Sequence, residues 1–250
     1  MTQLVLDSHT HCGYTVPFAE LAREWRNGEI QGGAVFSPVE EIYDRYDPFF
    51  TDSPQYQVSR ARVHRYLLDL GNRKHIFPYF FVWNDFIAIP DGFVGIKWHR
   101  HAGEPEYRYE SPRCEAIIDE ICVRKLPVVL EEEFGNTLQF IDCIGGRTVT
   151  IIPHMGGLNG GYTRLRDAGV FEHANIWADT ALASRGEIKD YVDRYGPERL
   201  LFGSDYPFGN PYHEKQKLTG LFSGNDLDAI LAGNLLRLLG RTQEDNRDVW

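Results

Sequence analysis

The feature that most constrains the fold of this chain is the alternation of short apolar segments with amphipathic ones along its whole length. Most of the apolar segments are uninterrupted, which is typical of strands buried on both faces. Eight such strands are predicted, at residues 4–9, 33–37, 76–83, 93–98, 127–131, 148–153, 176–179 and 200–204. Strands that alternate with helices pair in parallel through right-handed crossovers. Eight units in 250 residues predict an α/β fold, a single-domain (β/α)8 TIM barrel that spans residues 1–250.

Helix signals between the strands support the barrel. Ser53 and Ser111 each stand as a capping residue before a proline, which suits the first helical position. Gly71 is expected to end the first of these helices in a left-handed conformation. The third unit is the weakest, because residues 85–91 leave room for only a turn or two. A doubly wound open sheet is the competing architecture, but no G-x-G-x-x-G or phosphate loop follows the first strand.

Composition and charge exclude several classes of protein. The chain has a formal net charge of -10, whereas proteins that bind nucleic acids carry basic patches. It contains no run of about 18 apolar residues, so no membrane span is predicted. The cysteines form no C-x-x-C pair, and no secretory signal precedes the first strand. We therefore expect a reduced, cytoplasmic protein that binds neither nucleic acid nor membrane.

The first strand ends in two histidines separated by one residue, His9 and His11. Side chains two positions apart on a strand point to the same side, so the two imidazoles project together, with Asp7 one step earlier on that side. Two neutral imidazoles at a strand end form a natural pair of ligands for a divalent transition metal. Surface pairs and buried histidines share this spacing, so the motif alone leaves metal binding open.

Polar side chains also close other apolar strands, at the end where the active sites of such barrels lie. Burial of these groups would be costly without a compensating partner. They are His99 after strand four, Glu131 after strand five, His154 after strand six and Asp205 after strand eight. Their register around one ring with the histidine pair predicts a bound divalent ion.

Five motifs, taken in order along the chain, are together specific enough to indicate a family. They are Asp7-Ser8-His9-Thr10-His11, Gly95-Ile96-Lys97-Trp98-His99, Pro153-His154-Met155-Gly156-Gly157, Gly203-Ser204-Asp205-Tyr206-Pro207 and Gly233-Asn234-Leu235-Leu236-Arg237-Leu238-Leu239. On these motifs the chain resembles the amidohydrolase superfamily over nearly its whole length. The resemblance is strongest to the amidohydrolase-2 branch of metal-dependent hydrolases and decarboxylases. It implies that His9 and His11 are metal ligands, and that Asp205 is a ligand that also takes a proton from water. It also implies that His154 is a ligand or the general acid/base beside the metal.

One position departs from the pattern of this branch, which usually has a histidine at the end of strand five. Here Glu131 stands at that position. A carboxylate also ligates zinc or manganese, so we expect Glu131 to be a metal ligand, with Glu133 as the alternative. The other interpretation is that this chain has lost its metal.

Lys97 in strand four has two interpretations. Relatives that bind two metals use a carboxylated lysine at the end of strand four, so the resemblance allows Lys97 as a bridging ligand. Alternatively, because it lies deeper in the barrel than His99, it forms an ion pair with Asp7 or Glu131.

Substrate binding is assigned to three residues, His99, Arg45 and Trp98. Arg45 lies in an aromatic loop at 43–50, which either forms a wall or lid over the site or packs on itself. His99 contacts substrate or metal, and Trp98 adjoins it. Asp179 at the end of strand seven is either a support for the site or a substrate contact. The remaining histidines considered, His64, His75, His173 and His213, are expected at the surface or at helix ends.

The leading functional hypothesis is metal-assisted hydrolysis of an amide, ester or lactone in a small molecule. A divalent ion held by these ligands would lower the pKa of water towards neutrality. Asp205 would accept the proton, and His154 would steady the oxyanion or protonate the leaving group. Zinc is the expected metal, with manganese, iron and cobalt as alternatives.

Two other functions stay open. The branch includes non-oxidative decarboxylases of aromatic or unsaturated acids, for which Arg45, Arg100 and Lys97 would supply a cationic clamp. The third hypothesis is a barrel that binds a ligand without turning it over. The expected partner is a small molecule, and a homodimer is as open as a monomer.

Overall fold

The computed structural model describes residues 3–105 and 107–242. Within these residues, the sheet has eight parallel strands that neighbour one another in sequence order. They are β1 (Leu6–His11), β2 (Gly32–Phe36), β3 (Ile76–Phe81), β4 (Gly95–His99), β5 (Val128–Glu131), β6 (Thr150–Ile152), β7 (Ile176–Asp179) and β8 (Leu200–Leu201). Each overlaps a predicted strand, because uninterrupted apolar runs suit strands that are covered on both faces.

The sheet closes between β8 and β1 through hydrogen bonds at the carboxyl ends of the strands. The Asp205 amide donates to the His9 carbonyl, and the His11 amide donates to the Tyr206 carbonyl, each at 2.8 Å. This nearly closed parallel sheet confirms the predicted (β/α)8 TIM barrel. Closure also places the segment that follows β8 directly beside the end of β1.

Helices lie between the strands along the chain and cover the outside of the sheet. They are α1 (Phe18–Asn27), α2 (Pro54–Leu70), α3 (Pro112–Val123), α4 (Phe134–Ile144), α5 (Tyr162–Asp167), α6 (Arg185–Tyr195), α7 (Pro211–Thr219), α8 (Gly224–Asp228) and α9 (Asn234–Leu238), with a π-helical turn at Ala229–Gly233. The connection from β3 to β4, residues 82–94, is described throughout and forms no helix, in agreement with its weak signal. Across the described part of the chain, no helix combines the length and apolar character needed to cross a membrane.

The start of α2 agrees with the prediction, and its end does not. The Ser53 side chain accepts a hydrogen bond from the Tyr56 amide, as a capping residue should. Gly71 has φ -61° and ψ -11°, so the predicted left-handed conformation is wrong. The glycine serves close packing instead, since an added Cβ would lie 2.8 Å from Cγ of Pro78.

Apolar side chains form two layers, one inside the barrel and one between the sheet and the helices. The inner layer includes Phe77, Tyr79, Val129, Ile151, Trp177 and Leu201. Alternate residues of the same strands, such as Phe80 and Val128, belong to the outer layer. His64 is buried in this layer with its ring centroid 4.3 Å from that of Phe80, so its predicted surface position is wrong. It lies one helical turn from buried Leu67, on the face of α2 that meets the sheet.

Candidate metal and active site

A β-bulge, one extra residue in β1, turns the side chains of both of its histidines towards the same site. Between paired positions, β1 advances by three residues, 7 to 10, while β2 advances by two. Such a bulge shifts the alternation of side chains along the strand. The carboxylate of Asp7 accepts a hydrogen bond from the Trp25 indole of α1 at 3.3 Å. The predicted placement of Asp7 on the side of His9 and His11 is therefore wrong.

His9 is held in the tautomer that leaves Nε2 unprotonated. Its Nδ1 lies 2.7 Å from Oδ2 of Asp179, and an ionised carboxylate can only accept, so Nδ1–H is the donor. Burial would raise the pKa of Asp179, but contact with His9 keeps it below its ordinary value. Burial lowers the pKa of His9 and the nearby Lys97 ammonium lowers it further, so the ring is neutral. The lone pair on Nε2 then faces Oδ1 of Asp205 at 3.3 Å.

His11 repeats this arrangement. Its Nδ1 lies 3.1 Å from the carbonyl oxygen of Ser37, so this nitrogen also carries the donated proton. In the neutral ring, Nε2 is then an acceptor, and it lies 3.3 Å from the same Oδ1 of Asp205. Two nitrogen lone pairs and a carboxylate oxygen in contact repel one another unless a proton or a cation lies between them.

Asp205 lies at the centre of the imidazole cluster. Its φ of 54° is in the left-handed region that residues other than glycine rarely adopt, a strain that concentrates at functional sites. Its Oδ2 lies 3.3 Å from Nε2 of His154. Burial would raise the pKa of Asp205, but the surrounding imidazoles, His9 first among them, hold it below its ordinary value. The group is therefore an ionised carboxylate with three nitrogen neighbours.

His154 follows β6 in a second strained segment, with φ 55°. Its amide donates to Oδ1 of Asp179 at 2.9 Å, and its ring stacks on His9 with centroids 4.8 Å apart. Apart from the contact of Nε2 with Asp205 at 3.3 Å, the ring nitrogens have no partner among the described residues, although the side chain is buried. Burial would lower the pKa of His154, but the carboxylates of Asp205 and Glu131 raise it. Because buried polar atoms are normally satisfied, these nitrogens indicate a missing partner.

On the other wall, Lys97 and His99 of β4 face Glu131 of β5. Lys97 Nζ donates to Oε2 of Glu131 at 2.7 Å and lies 3.3 Å from Nε2 of His9. Of the two interpretations of Lys97, the structure has the ion pair with Glu131. His99 places Nε2 3.0 Å from Oε1 of Glu131, and burial lowers the pKa of His99 to about 4.

His101, which the sequence analysis missed, completes this second cluster. Its Nε2 contacts Oε1 of Glu131, and its Nδ1 lies 3.2 Å from Nη2 of Arg45. Arg45 also donates from Nε to Glu104 at 2.9 Å. A signal was present in the sequence, because His99 and His101 repeat the H-x-H spacing found in β1.

Trp98 and Glu133, both considered from the sequence, lie away from these clusters. Side chains alternate along β4, so position 98 points outward when 97 and 99 point inward. There the Trp98 indole donates to Glu132 at 3.2 Å and packs on Phe140, with ring centroids 4.9 Å apart. This placement does not support the predicted substrate contact at Trp98. Glu133 is exposed just before α4.

A cavity of about 190 Å³ opens beside both clusters at the carboxyl end of the barrel. Its polar wall consists of His11, Arg45, His99, His101, Glu131 and Asp205. Its apolar wall consists of Val39, Leu158, Leu182 and Phe208, and the last three are exposed at the rim. The cavity therefore suits a small molecule that combines a polar group with an apolar part.

The distances in the first cluster fit a divalent ion. Tetrahedral coordination with bonds of about 2.0–2.1 Å separates ligand atoms by about 3.3 Å. Asp205 lies at this distance, 3.3 Å, from one nitrogen each of His9, His11 and His154. The potential ligand atoms of His9, His154 and Asp205 all lie within 4.8 Å of one another, and the same holds for the group His99, His101 and Glu131.

The charges around the cavity favour a bound cation. The two cations of the clusters, Lys97 and Arg45, are each paired with a glutamate. Among the residues that the structure describes, the buried carboxylates of Asp179 and Asp205 contact histidines but no lysine or arginine. Buried charges are normally paired or bound to metals. These two carboxylates therefore favour a bound cation at the site.

One family model matches the sequence, and it bears the description Amidohydrolase. This model, Amidohydro_2, matches residues 91–241. No curated protein matches the sequence.

Several solved structures are similar to this one at low sequence identity. The 2,6-dihydroxybenzoate decarboxylase from Rhizobium has a TM-score of 0.71 and 15% identity, over 96% of this chain and 99% of that one. A candidate 2-pyrone-4,6-dicarboxylic acid hydrolase from Pseudomonas putida has a TM-score of 0.72 and 15% identity, over 96% and 98%. A dihydroxybenzoic acid decarboxylase from Polaromonas sp. JS666, with bound manganese and the inhibitor 2-nitroresorcinol, has a TM-score of 0.66 and 14% identity, over 95% and 96%. At these identities the similarity establishes the fold.

Proposed function

This chain belongs to the amidohydrolase family, and we propose that it is a metal-dependent hydrolase that uses water to attack the carbonyl carbon of a small amide, ester or lactone. The observation that carries the proposal is the convergence of three imidazole nitrogens on the carboxylate of Asp205, each at 3.3 Å. Bound manganese in one structural neighbour adds support.

We assign the ion to His9, His11 and Asp205, with His154 as a fourth ligand or as an acid beside it. When bound, a divalent ion polarises a carbonyl and lowers the pKa of water towards neutrality. Asp179 fixes the ring of His9 so that its free nitrogen faces the site, a role that supports metal affinity in such centres. Zinc is the proposed metal, and manganese, iron and cobalt suit the same donors.

The proposed path of the proton runs from water to Asp205 and from His154 to the leaving group. Asp205 is ionised and lies 3.3 Å from each of three imidazole nitrogens, so its carboxylate would accept the proton of a water bound among them. Burial would lower the pKa of His154, but the carboxylates of Asp205 and Glu131 raise it. His154 can therefore hold the proton that an amine or alcohol needs in order to leave.

The proposed substrate is small and partly apolar. Val39, Leu158, Leu182 and Phe208 line one side of the cavity, and such surfaces gain free energy by covering apolar parts of a ligand. His101 and Arg45 on the polar side would orient an anionic or carbonyl group of the same molecule.

A decarboxylase is the second candidate, because two cations lie beside the proposed metal site. Arg45 lines the cavity, so its guanidinium would donate hydrogen bonds to a substrate carboxylate in addition to Glu104, and Lys97 lies behind Glu131. Two of the structural neighbours described above are named as decarboxylases. This reaction releases carbon dioxide and consumes no water, which separates it from hydrolysis.

The test is metal depletion with a chelator, followed by reconstitution with zinc or manganese, with turnover measured on amides, lactones, esters and aromatic carboxylates. Hydrolysis should appear only in the reconstituted protein and should be lost in Asp205→Asn. Release of carbon dioxide would select the decarboxylase instead. No bound metal, and no rise in melting temperature on adding zinc or manganese, would overturn both and favour a non-catalytic barrel.

The proposed location is the cytoplasm, and a homodimer is as open as a monomer. The proposed partner is the small-molecule substrate alone.

A further inference from the structure

We propose that Lys97 is a resident cation that competes with the divalent ion for His9, and that Glu131 is the counterion of Lys97 rather than a metal ligand. This inference rests on the proposed function, because it concerns the affinity of that same metal site. It replaces the role that the sequence predicts for Glu131.

The competition follows from the single lone pair of His9. Its Nδ1 proton is donated to Asp179, so only Nε2 is free to accept. Lys97 Nζ lies 3.3 Å from that nitrogen, which places an N–H donor where a metal bond would form. Lys97 is fully buried and paired with Glu131, so its departure into solvent would leave a buried carboxylate without its cation. An ion that binds His9 must therefore displace this donor and remain close to its positive charge.

Glu131 already has three buried hydrogen-bonding neighbours. Its Oε2 accepts from Lys97 at 2.7 Å, while Oε1 contacts Nε2 of both His99 and His101. Arg45 donates to Nδ1 of His101, which places the proton of that ring on Nε2, facing Glu131. A metal bond at Oε1 would have to replace one of the two histidines, and a metal bond at Oε2 would bring the ion directly beside the Lys97 ammonium.

Lys97 also keeps favourable contacts when the ion binds. Glu131 holds it on one side, and its Nζ lies 4.8 Å from the ring centroid of Phe36 on another. Loss of the contact with His9 therefore leaves the ammonium paired and partly stacked on an aromatic face.

The experiment measures zinc dissociation constants at a fixed pH by competition with a chromophoric chelator. Lys97→Met should bind zinc at least tenfold more tightly than the wild type, because the competitor is gone. Lys97→Met combined with Glu131→Gln should bind at least as tightly as the wild type. Asp205→Asn should bind zinc at least a hundredfold more weakly than the wild type. Lys215→Met removes another buried lysine far along the chain. Its zinc dissociation constant should stay within twofold of the wild-type value.

The double variant removes both members of the buried pair, which is less disruptive than removing one. A hundredfold loss of zinc affinity in a folded double variant would make Glu131 a ligand and overturn the proposal. An unchanged or weaker affinity in Lys97→Met would overturn the competition. The cobalt absorption spectrum provides a separate measurement, since it should be the same in wild type and Glu131→Gln if the ligands are unchanged. A shifted cobalt spectrum in Glu131→Gln would also refute the counterion role.

The outcomes separate this inference from the proposed function. If the wild type binds zinc and the double variant does not, only the assignment of Lys97 and Glu131 fails. If neither the wild type nor Lys97→Met binds a divalent ion, both the inference and the proposed metal-dependent reaction fail.

Discussion

The tautomer of His9 offers the sharpest single test of the metal site, through the variant Asp179→Asn. Asp179 accepts three hydrogen bonds, from Nδ1–H of His9 at 2.7 Å and from the amides of His154 and Ala181 at 2.9 and 3.0 Å. An asparagine oxygen can keep the two amide bonds, which arise at one carboxylate oxygen. Its NH2 group then faces Nδ1 of His9 as a donor and forces the ring proton onto Nε2.

The expected loss of zinc affinity follows from the loss of the nitrogen lone pair that would bind the ion. Removing an outer partner of a metal-bound histidine typically weakens metal affinity by about 10–100-fold. At about 1.4 kcal/mol per tenfold, this is about 1.4–2.8 kcal/mol. The fold should survive, because asparagine has nearly the same shape and the two backbone hydrogen bonds remain.

The assay is zinc competition together with nitrogen NMR of the histidine rings in the metal-free protein. The NMR spectrum should show the proton of His9 moving from Nδ1 to Nε2 in Asp179→Asn. Asp193→Asn, on the exposed side of α6, is the matched control and should change neither quantity. An Asp179→Asn protein that binds zinc within twofold of the wild type and keeps the Nδ1 proton would refute the reasoning.

Three further predictions follow from other parts of the structure. Asp205→Asn should lower kcat by about 10²–10⁴-fold with an unchanged melting curve in the metal-free protein, since it removes the proposed proton acceptor; near-normal turnover would rule out that role. Burial lowers the pKa of His64 to about 3, so the unfolded chain binds this proton first as the pH falls below 6.5. Stability should therefore decline by about 1.4 kcal/mol per pH unit below that point, and His64→Phe should remove this part of the slope in denaturant titrations from pH 7.5 to 5. Trp98→Phe should cost about 1–2 kcal/mol in the free energy of unfolding, because Glu132 loses a donor, while kcat/KM stays the same.

Features that depend on local pattern could be predicted from the sequence. Apolar runs marked all eight strands, and the alternation with helices was sufficient for the barrel topology. The same pattern placed His9, His11, His154 and Asp205 at strand ends, because parallel strands of a barrel bring their carboxyl ends to one face.

Features that depend on partners distant in the chain required the tertiary structure. A bulge in β1, set by its pairing with β2, turned Asp7 towards Trp25. His101 follows β4 in a loop, where no periodicity reports the direction of a side chain.

The sequence by itself determined the fold and the polar residues that end the strands at the mouth of the barrel, since both follow from short-range periodicity. Only the tertiary structure decided how those residues pair: Lys97 with Glu131, and Asp179 with His9. Hydrogen-bond partners and tautomers depend on distances of a few tenths of an ångström between strands far apart in the chain, and no local pattern encodes such distances.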